Sequence, residues 1–256
     1  MCLIGLAFDA EGSLTLAANR DEFAHRPTRP LHWWDDRVLA GRDLQAQGTW
    51  LGITRDGRFA AVTNVRDPSL KAQPVPHGSR GVVVSRYLQG GDGPSDFLLA
   101  LRRALAGPSP FNLIVGRLTS AGVECWWYGG RTQAMEPLEP GAHVLSNAEL
   151  NTPWPKASRL QAVLAKESPG RHGERLMDTM YSREQAPDGA LPSTGVGHAW
   201  EKKLSAAFIT GQDYHTRSTT RLLHRKGTVA MEETSWSPDG DPINHVTMCF
   251  EVDSFG

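Results

Sequence analysis

Short apolar runs separated by polar turns dominate this chain, and the alternation predicts mainly β-hairpins. Residues 2–8 and 13–18 have strand patterns and flank the turn-like stretch Asp9-Ala10-Glu11-Gly12. Residues 49–54 and 58–64 form a second pair of this kind. Further strand patterns cover residues 111–117, 123–128, 143–147, 217–224, 228–235 and 245–252.

The periodicity changes between these hairpins, where apolar residues recur at intervals of three and four. This spacing predicts helices over residues 81–88, 95–106 and 155–166. Many hairpin strands with a few helices clustered between them indicate an α+β fold with antiparallel sheets. The 256 residues contain no internal repeat and no long linker, so we interpret 1–256 as a single domain.

The register of the first hairpin decides which side chains share a face. Pairing Phe8 with Ser13 predicts that Cys2 lies opposite Asn19. Side chains alternate between the two faces of a strand, so Asp21 is expected on the face of Asn19. Arg20 is then expected on the other face, and a slip of one residue reverses the assignment.

Charge and cysteine content limit the classes of function. The chain has 27 basic and 28 acidic residues and no block of like charge, which argues against nucleic acid or an anionic membrane as partner. No apolar run is long enough for stable membrane insertion. The three cysteines lie far apart and show no paired spacing, which argues against disulfides and a metal site. We therefore expect a cytoplasmic protein that binds a small-molecule ligand or substrate.

Cys2 is the strongest candidate for chemistry. Removal of the initiator Met1 leaves a residue that carries both a thiol and an α-amine. Their reference pKa values are about 8.5 and about 7.7–8.0, so one residue supplies a nucleophile and a base. The alternative interpretation is a small apolar residue at the start of a strand.

Polar clusters follow several of the predicted strands. They are Asn19-Arg20-Asp21-Glu22, Thr63-Asn64-Val65-Arg66-Asp67-Pro68, Leu145-Ser146-Asn147-Ala148 and Thr216-Arg217-Ser218-Thr219. Each has an ordinary explanation as a turn or a solvated ion-pair cluster. Together they place amide, carboxylate and guanidinium groups at strand ends.

Asn19-Arg20-Asp21-Glu22 is also the motif that gives the NRDE family its name. The chain resembles this family, also called the transport and Golgi organisation protein 2 family, almost from end to end. The motifs that carry the resemblance include Leu39-Ala40-Gly41-Arg42-Asp43, Gly48-Thr49-Trp50-Leu51-Gly52, Ser79-Arg80-Gly81, Phe111-Asn112-Leu113-Ile114 and Thr152-Pro153-Trp154-Pro155-Lys156. Membership does not by itself define a reaction.

A more distant resemblance suggests a reaction. The N-terminal region is similar to the choloylglycine hydrolase and penicillin V acylase group of N-terminal nucleophile hydrolases, which implies a four-layer αββα sandwich. In that group a Cys after the initiator Met, an Asp, two Asn and a late Arg act together. The matching residues, expected to be catalytic here, are Cys2, Asp21, Asn64, Asn147 and Arg217. In that group an Arg precedes the Asp by several residues, whereas here Arg20 is adjacent to Asp21.

The resemblance implies a cysteine-dependent hydrolase of a linear amide bond. Cys2 would attack the carbonyl, Asn64 or Asn147 would hold the oxyanion and Asp21 would orient the α-amine, while Arg217 would lower the thiol pKa or bind a substrate carboxylate. We expect Asn19, Arg20 and Trp50 to bind substrate. No cofactor is required.

The family is also linked to haem trafficking and to acyl-CoA and lipid homeostasis. A non-enzymatic binding protein on the same fold is therefore the alternative, with haem as a conceivable ligand. None of the nine histidines has a ligand-like partner at close spacing.

Overall fold

The computed structural model describes residues 2–70, 78–119, 122–171 and 173–253. Within these ranges the chain forms two antiparallel sheets. The strands of the first, sheet A, are β1 Cys2–Phe8, β2 Leu14–Phe23, β10 Gly141–Leu145, β11 Tyr214–Arg225, β12 Thr228–Trp236 and β13 Pro242–Glu251. Their order across the sheet is β10-β1-β2-β11-β12-β13, so β1 and β2 lie inside it.

Sheet B is a meander, in which each strand pairs with the next along the chain. Its strands are β3 Thr28–Trp34, β4 Val38–Asp43, β5 Leu51–Thr54, β6 Arg58–Asn64, β7 Phe111–Thr119, β8 Gly122–Gly129 and β9 Ala134–Pro137. Several of its hairpin turns contain Gly or a residue with positive φ, such as Gly57 at φ 79°, whereas residues 65–110 separate β6 from β7.

Helices cover the outer faces of both sheets. Their bounds are α1 Arg80–Gln89, α2 Pro94–Ala104, α3 Pro155–Leu164, α4 Glu174–Met180 and α5 His198–Leu204. Helices α1 and α2 pack on sheet B, and α3 and α4 pack on sheet A. The order helix, sheet, sheet, helix is the four-layer αββα sandwich that the resemblance implies, with the antiparallel sheets that the hairpin pattern predicts. None of these helices is both long and apolar enough to cross a bilayer, within the described ranges.

The main hydrophobic core lies between the sheets. Ile4, Leu6 and Phe8 of β1 face it together with Leu16 of β2, while Leu3 and Ala7 face the helices on the other side. Burial on both faces explains why β1 is apolar throughout instead of alternating. The even-numbered positions of β1 therefore point toward sheet B, and Cys2 continues that row.

The predicted register of the first hairpin is wrong by one residue. Phe8 pairs with Leu14, and Cys2 pairs with Arg20. Five residues rather than four separate the paired strand ends, because Ser13 belongs to the turn, where Asp9 N donates to Ser13 O and Gly12 adopts φ 84°. Directly opposite residues share a face, so Arg20 lies beside Cys2 and Asn19 points toward the helices.

The predicted helices over 81–88, 95–106 and 155–166 are confirmed as α1, α2 and α3, with small shifts at their ends. Strands β3, β4 and β9 and helices α4 and α5 were not predicted. Strand β3 carries Pro30 and paired tryptophans, and its ladder with β4 is irregular between Arg29 and His32, which obscures the strand pattern.

Candidate active site

The start of β1 opens into a cavity between the two sheets, which we name the Cys2 cavity. Its volume is about 100 Å³. It is lined by Cys2, Arg20, Asp21, Glu22, Arg26, Asp43, Ala46, Thr49, Trp50, Val62, Asn64, Ser79, Arg80 and Gly81. Polar side chains from β2, β4, β6 and the beginning of α1 thus converge on the residue that sequence analysis selected as the nucleophile.

Arg20 forms one wall of this cavity. Its guanidinium lies over the Trp50 ring, 4.4 Å from the ring centroid, and donates hydrogen bonds to Thr28 Oγ1 at 3.1 Å and Asp43 Oδ2 at 3.5 Å. Arg26 Nε donates to the same Asp43 oxygen at 2.6 Å. Burial acts to raise the pKa of Asp43, but hydrogen bonds from Ala46 and Arg26 hold it below its usual value.

Asp21 lies one residue beyond the Cys2–Arg20 pair, at the point where β1 begins. Its Oδ1 accepts a hydrogen bond from Thr216 Oγ1 at 2.7 Å, and its main-chain oxygen accepts one from the Tyr214 hydroxyl at 3.1 Å. Burial raises the pKa of the Asp21 carboxyl, while the Lys156 ammonium acts to lower it. Asp21 is thus a buried carboxyl whose ionisation depends on its cationic neighbours.

The environment of Cys2 keeps its thiol protonated. Burial raises the pKa of the Cys2 thiol, the Asp21 carboxylate raises it further, and Arg20 opposes both. A thiol in this state is a weak nucleophile until a neighbouring base removes its proton. Deprotonation of Cys2 therefore requires a base next to the thiol.

Asn64 provides a carboxamide at the end of β6. It lines the Cys2 cavity, and its side chain forms no hydrogen bond with any other residue that the structure describes. Its main-chain oxygen accepts a hydrogen bond from Asn147 Nδ2 at 2.8 Å. The Asn64 amide is consequently available to a group bound in the cavity.

Asn147 lies behind Asn64 rather than in the Cys2 cavity. Its Oδ1 is 3.5 Å from Arg66 Nη2, and Arg66 Nη1 in turn pairs with Glu201 Oε2 at 2.5 Å. Asn147 and Arg66 line a second cavity of about 310 Å³, together with Trp154. The structure thus brings Asn147 next to the cavity wall, where it fixes the backbone of Asn64.

The beginning of α1 closes the cavity opposite Arg20. Ser79 caps this helix by accepting a hydrogen bond from Val82 N, and Arg80 follows it into the cavity wall. Gly48 allows the close approach of the preceding loop, because a Cβ there would lie 2.3 Å from the carbonyl carbon of Gly81. The main-chain bond from Thr49 N to Gly81 O, 3.1 Å long, fixes this contact.

Asn19 does not reach the cavity, contrary to the expectation that it binds substrate. Its Nδ2 donates to Met180 O at 2.7 Å and Ala207 O at 2.8 Å, and its Oδ1 accepts from Thr219 Oγ1 at 2.7 Å. The side chain is completely buried on the helix-facing side of sheet A. The expectation failed because it assumed that Asn19 lies opposite Cys2.

Arg217 also lies outside the Cys2 cavity, so the structure does not support its expected role toward the thiol. Its Nη1 donates to the main-chain oxygens of Phe23, Ala24 and Arg26, at 2.9, 3.0 and 3.1 Å. A register shift between Thr216 and Ser218 interrupts the pairing of β11 with β2 at this position. Arg217 therefore holds the loop after β2, and the cations of the cavity are Arg20, Arg26 and Arg80.

Sequence reasoning missed Lys156, which is buried and donates to Leu204 O at 2.8 Å and Ala206 O at 3.2 Å. The signal was present in the helix periodicity, because Lys156, Leu160 and Leu164 recur every four residues and are all buried. Burial lowers the pKa of Lys156 to about 8, and Asp21 acts in the opposite direction.

No three His, Cys, Asp or Glu side chains in the described parts of the chain are grouped as metal ligands. Haem as a ligand stays a prediction.

Comparison with known proteins gives the same family as the motifs. The sequence profile of the family Transport and Golgi organisation 2 matches residues 1–238. The chain is 34% identical to the Transport and Golgi organization protein 2 homolog of Bos taurus, over 87% of this chain and 88% of that one. It is 33% identical to the Mus musculus homolog, with the same coverage.

Two solved structures share the fold at low sequence identity. One is a mutant of the conjugated bile acid hydrolase from Clostridium perfringens, with a TM-score of 0.51 and 12% identity over 99% of this chain and 93% of that chain. The other is the Caenorhabditis elegans ortholog of N-acylethanolamine-hydrolyzing acid amidase, with a TM-score of 0.50 and 9% identity over 86% and 92%. The likeness establishes the N-terminal nucleophile hydrolase fold.

Proposed function

The chain belongs to the Transport and Golgi organisation 2 family, and from that premise we propose that it hydrolyses a linear amide bond with Cys2 as nucleophile. The observation that carries the proposal is the convergence of Cys2, Asp21 and Asn64 on one cavity, although they are distant in sequence. Both structural neighbours are named as hydrolases, and one is named for an N-acyl amide substrate.

The reaction requires removal of Met1, which makes the nitrogen of Cys2 a free α-amine. This amine supplies the base that the protonated thiol lacks. The amine accepts the thiol proton, the sulfur attacks the amide carbonyl, and the collapsing intermediate passes that proton to the leaving amine. Water then hydrolyses the thioester and regenerates the thiol.

Asp21 and Asn64 have separate roles in this scheme. Asp21 of β2 lies beside the start of β1, where its carboxylate orients the α-amine. The Asn64 carboxamide donates a hydrogen bond to the oxyanion that develops on the carbonyl oxygen. Asn147 maintains the position of Asn64 through the 2.8 Å bond to its main-chain oxygen.

Arg20 and Trp50 form the substrate-facing wall. The guanidinium is fixed by Asp43, Thr28 and the Trp50 ring, so it is ordered before substrate arrives. A cavity of about 100 Å³ accommodates the reacting amide and little more, so the rest of the substrate extends outside it.

The test is turnover of N-acyl amides of glycine, ethanolamine and a chromogenic arylamine by the untagged protein. We expect Cys2→Ala to abolish hydrolysis while the circular dichroism spectrum is unchanged. Cys249→Ala, which removes an exposed cysteine, is the matched control and retains full activity. Asn64→Ala is expected to lower kcat by about 10²–10³. Equal turnover by the parent and Cys2→Ala refutes the proposal.

A further inference from the structure

Strand β11 contains a β-bulge beside Asp21 that the proposed reaction does not use. Thr216 pairs with Asp21 and Ser218 pairs with Arg20, so Arg217 is an extra residue without a partner of its own in β2. An extra residue interrupts the alternation of side chains between the two faces of a strand. The bulge therefore decides which side chains of β11 lie on the same face as Asp21.

Two threonines of β11 share that face because of the bulge. Thr216 and Thr219 are three residues apart, and in a regular strand they would point to opposite faces. Here the Thr216 hydroxyl donates a hydrogen bond to Asp21 Oδ1 at 2.7 Å, and the Thr219 hydroxyl donates one to Asn19 Oδ1 at 2.7 Å. Each of the two neighbouring polar side chains of β2 thus receives its own threonine.

The Thr216 hydroxyl is held in a single orientation by the segment that follows α5. Its Oγ1 accepts a hydrogen bond from Ile209 N at 2.8 Å, and Thr216 N donates to Ile209 O at 2.8 Å. A hydroxyl carries one proton, and here that proton goes to Asp21 Oδ1. Thr216 and Asp21 are 0% and 1% exposed, and burial strengthens such a bond.

We propose that Thr216 is a positioning residue, whose hydroxyl sets the direction in which the Asp21 carboxylate meets the α-amine of Cys2. The inference rests on the proposed function, in which Asp21 orients that amine. The last torsion of an aspartate side chain is broad, so a carboxylate without a fixed partner rotates readily. Thr216 is not among the described residues that line the Cys2 cavity, so it acts through Asp21.

Thr219 provides a matched control for the loss of a buried hydrogen bond. Its hydroxyl also accepts a hydrogen bond, from Trp236 Nε1 at 3.0 Å, and it is as deeply buried as Thr216. Its partner Asn19 is neutral and lies outside the Cys2 cavity. An effect common to Thr216→Val and Thr219→Val therefore reports stability, whereas an effect confined to Thr216→Val reports the orientation of Asp21.

The first test needs no turnover. The Asp21 carboxyl carbon is titrated by NMR in protein labelled at aspartate, with its resonance assigned by its loss in Asp21→Asn. Thr216→Val removes a donor that favours the ionised carboxyl, so we expect a higher Asp21 pKa than in the parent. Thr219→Val and Thr216→Ser, which keeps the hydroxyl, are expected to titrate like the parent. An Asp21 pKa that is the same in Thr216→Val and in the parent overturns the proposal.

The second test measures the hydrolysis of an N-acyl amide by the same variants. We expect Thr216→Val to lower kcat by about 10–100-fold, the loss typical of one hydrogen bond to a charged group. KM stays near that of the parent, because Thr216 acts through Asp21 and not on the substrate. Thr216→Ser retains most of the activity, and Thr219→Val retains all of it. Equal kcat values for Thr216→Val and Thr219→Val overturn the proposal.

Two outcomes separate this inference from the proposed function. A parent without turnover refutes the proposed function, and the titration still decides whether Thr216 holds the Asp21 carboxylate. If Thr216→Val does not fold, Thr216→Ala replaces it, because the smaller side chain leaves room for a water molecule at Ile209 N and Asp21. Failure of both to fold, with Thr219→Val folded, assigns the hydroxyl to folding and overturns the proposal.

Discussion

The ion pair between Arg66 and Glu201 offers the sharpest test of how the site is held together. Only 3% of the Arg66 side chain and 5% of the Glu201 side chain are exposed, and the closest N–O distance is 2.5 Å. The second Glu201 oxygen accepts hydrogen bonds from Thr194 N and Oγ1 at 2.7 and 2.6 Å. The carboxylate is thus fully partnered, and its removal leaves a buried guanidinium without its counter-charge.

Glu201→Gln is the perturbation of choice because it removes the charge and keeps an acceptor oxygen. Breaking a buried pair from one side costs about 3–5 kcal/mol. In a chain of this size that corresponds to a thermal midpoint lower by roughly 6–20 °C. The assay is urea unfolding followed by fluorescence and circular dichroism, with thermal melts as a second measurement.

Glu184→Gln is the matched control, because Glu184 also pairs with an arginine, Arg159, but both side chains are exposed, at 68% and 36%. We expect a change below about 1 kcal/mol there. The double variant Arg66→Met/Glu201→Gln should lose less stability than the sum of the single variants. Equal losses for Glu201→Gln and Glu184→Gln would falsify the view that this pair fixes α5 to the wall behind Asn147.

Three further predictions follow from the site. The pKa of Lys156 is near 8 in the folded protein and higher in the unfolded chain, so folding between these pKa values releases a proton. Urea titrations should therefore show that the parent gains stability relative to Lys156→Met as pH rises from about 8 to about 10.5. A difference in unfolding free energy that stays constant over this pH range would contradict the prediction. Gly48→Ala should lower the free energy of unfolding by about 1–3 kcal/mol, because its Cβ clashes with Gly81. Gly91→Ala should not destabilise the protein, because a Cβ there meets nothing within 4 Å. Equal urea midpoints for the two variants would refute the close approach of Gly48 to Gly81. Iodoacetamide should alkylate Cys2 slowly near pH 7 and faster as pH rises, because burial raises the pKa of its thiol. The exposed Cys249 is the reference thiol, and peptide masses report the labelling of each. Rapid labelling of Cys2 at neutral pH would show that its thiol is not held protonated.

Much of the architecture could be predicted from hydrophobic patterning. Helix α3 follows from the apolar spacing after Pro155, and the hairpins follow from turn residues such as Gly57 between matched strands. The strand β1 is apolar throughout because it is buried between sheet B and the helices, and a continuous apolar run still predicts a strand.

The side-chain placement at the site could not be predicted with the same security. Whether Ser13 belongs to the turn or to β2 depends on the φ of Gly12, and this one residue decides whether Arg20 or Asn19 lies beside Cys2. The displacement of Arg217 depends on a register shift that periodicity does not reveal. Asn64 lines the cavity as expected because it is the last residue of β6, and Asp21, two residues before the end of β2, lines it as well.

The central claim is that Cys2 becomes the chain terminus and carries the acyl group during turnover. Acid-quenched samples of untagged protein, taken during hydrolysis of an N-acyl amide, allow the N-terminal peptide to be identified by mass. The account predicts a peptide that starts at Cys2 and, at early times, bears one acyl group that hydroxylamine removes. A peptide that retains Met1 in protein that hydrolyses the amide would contradict it, because an acylated nitrogen cannot act as the base.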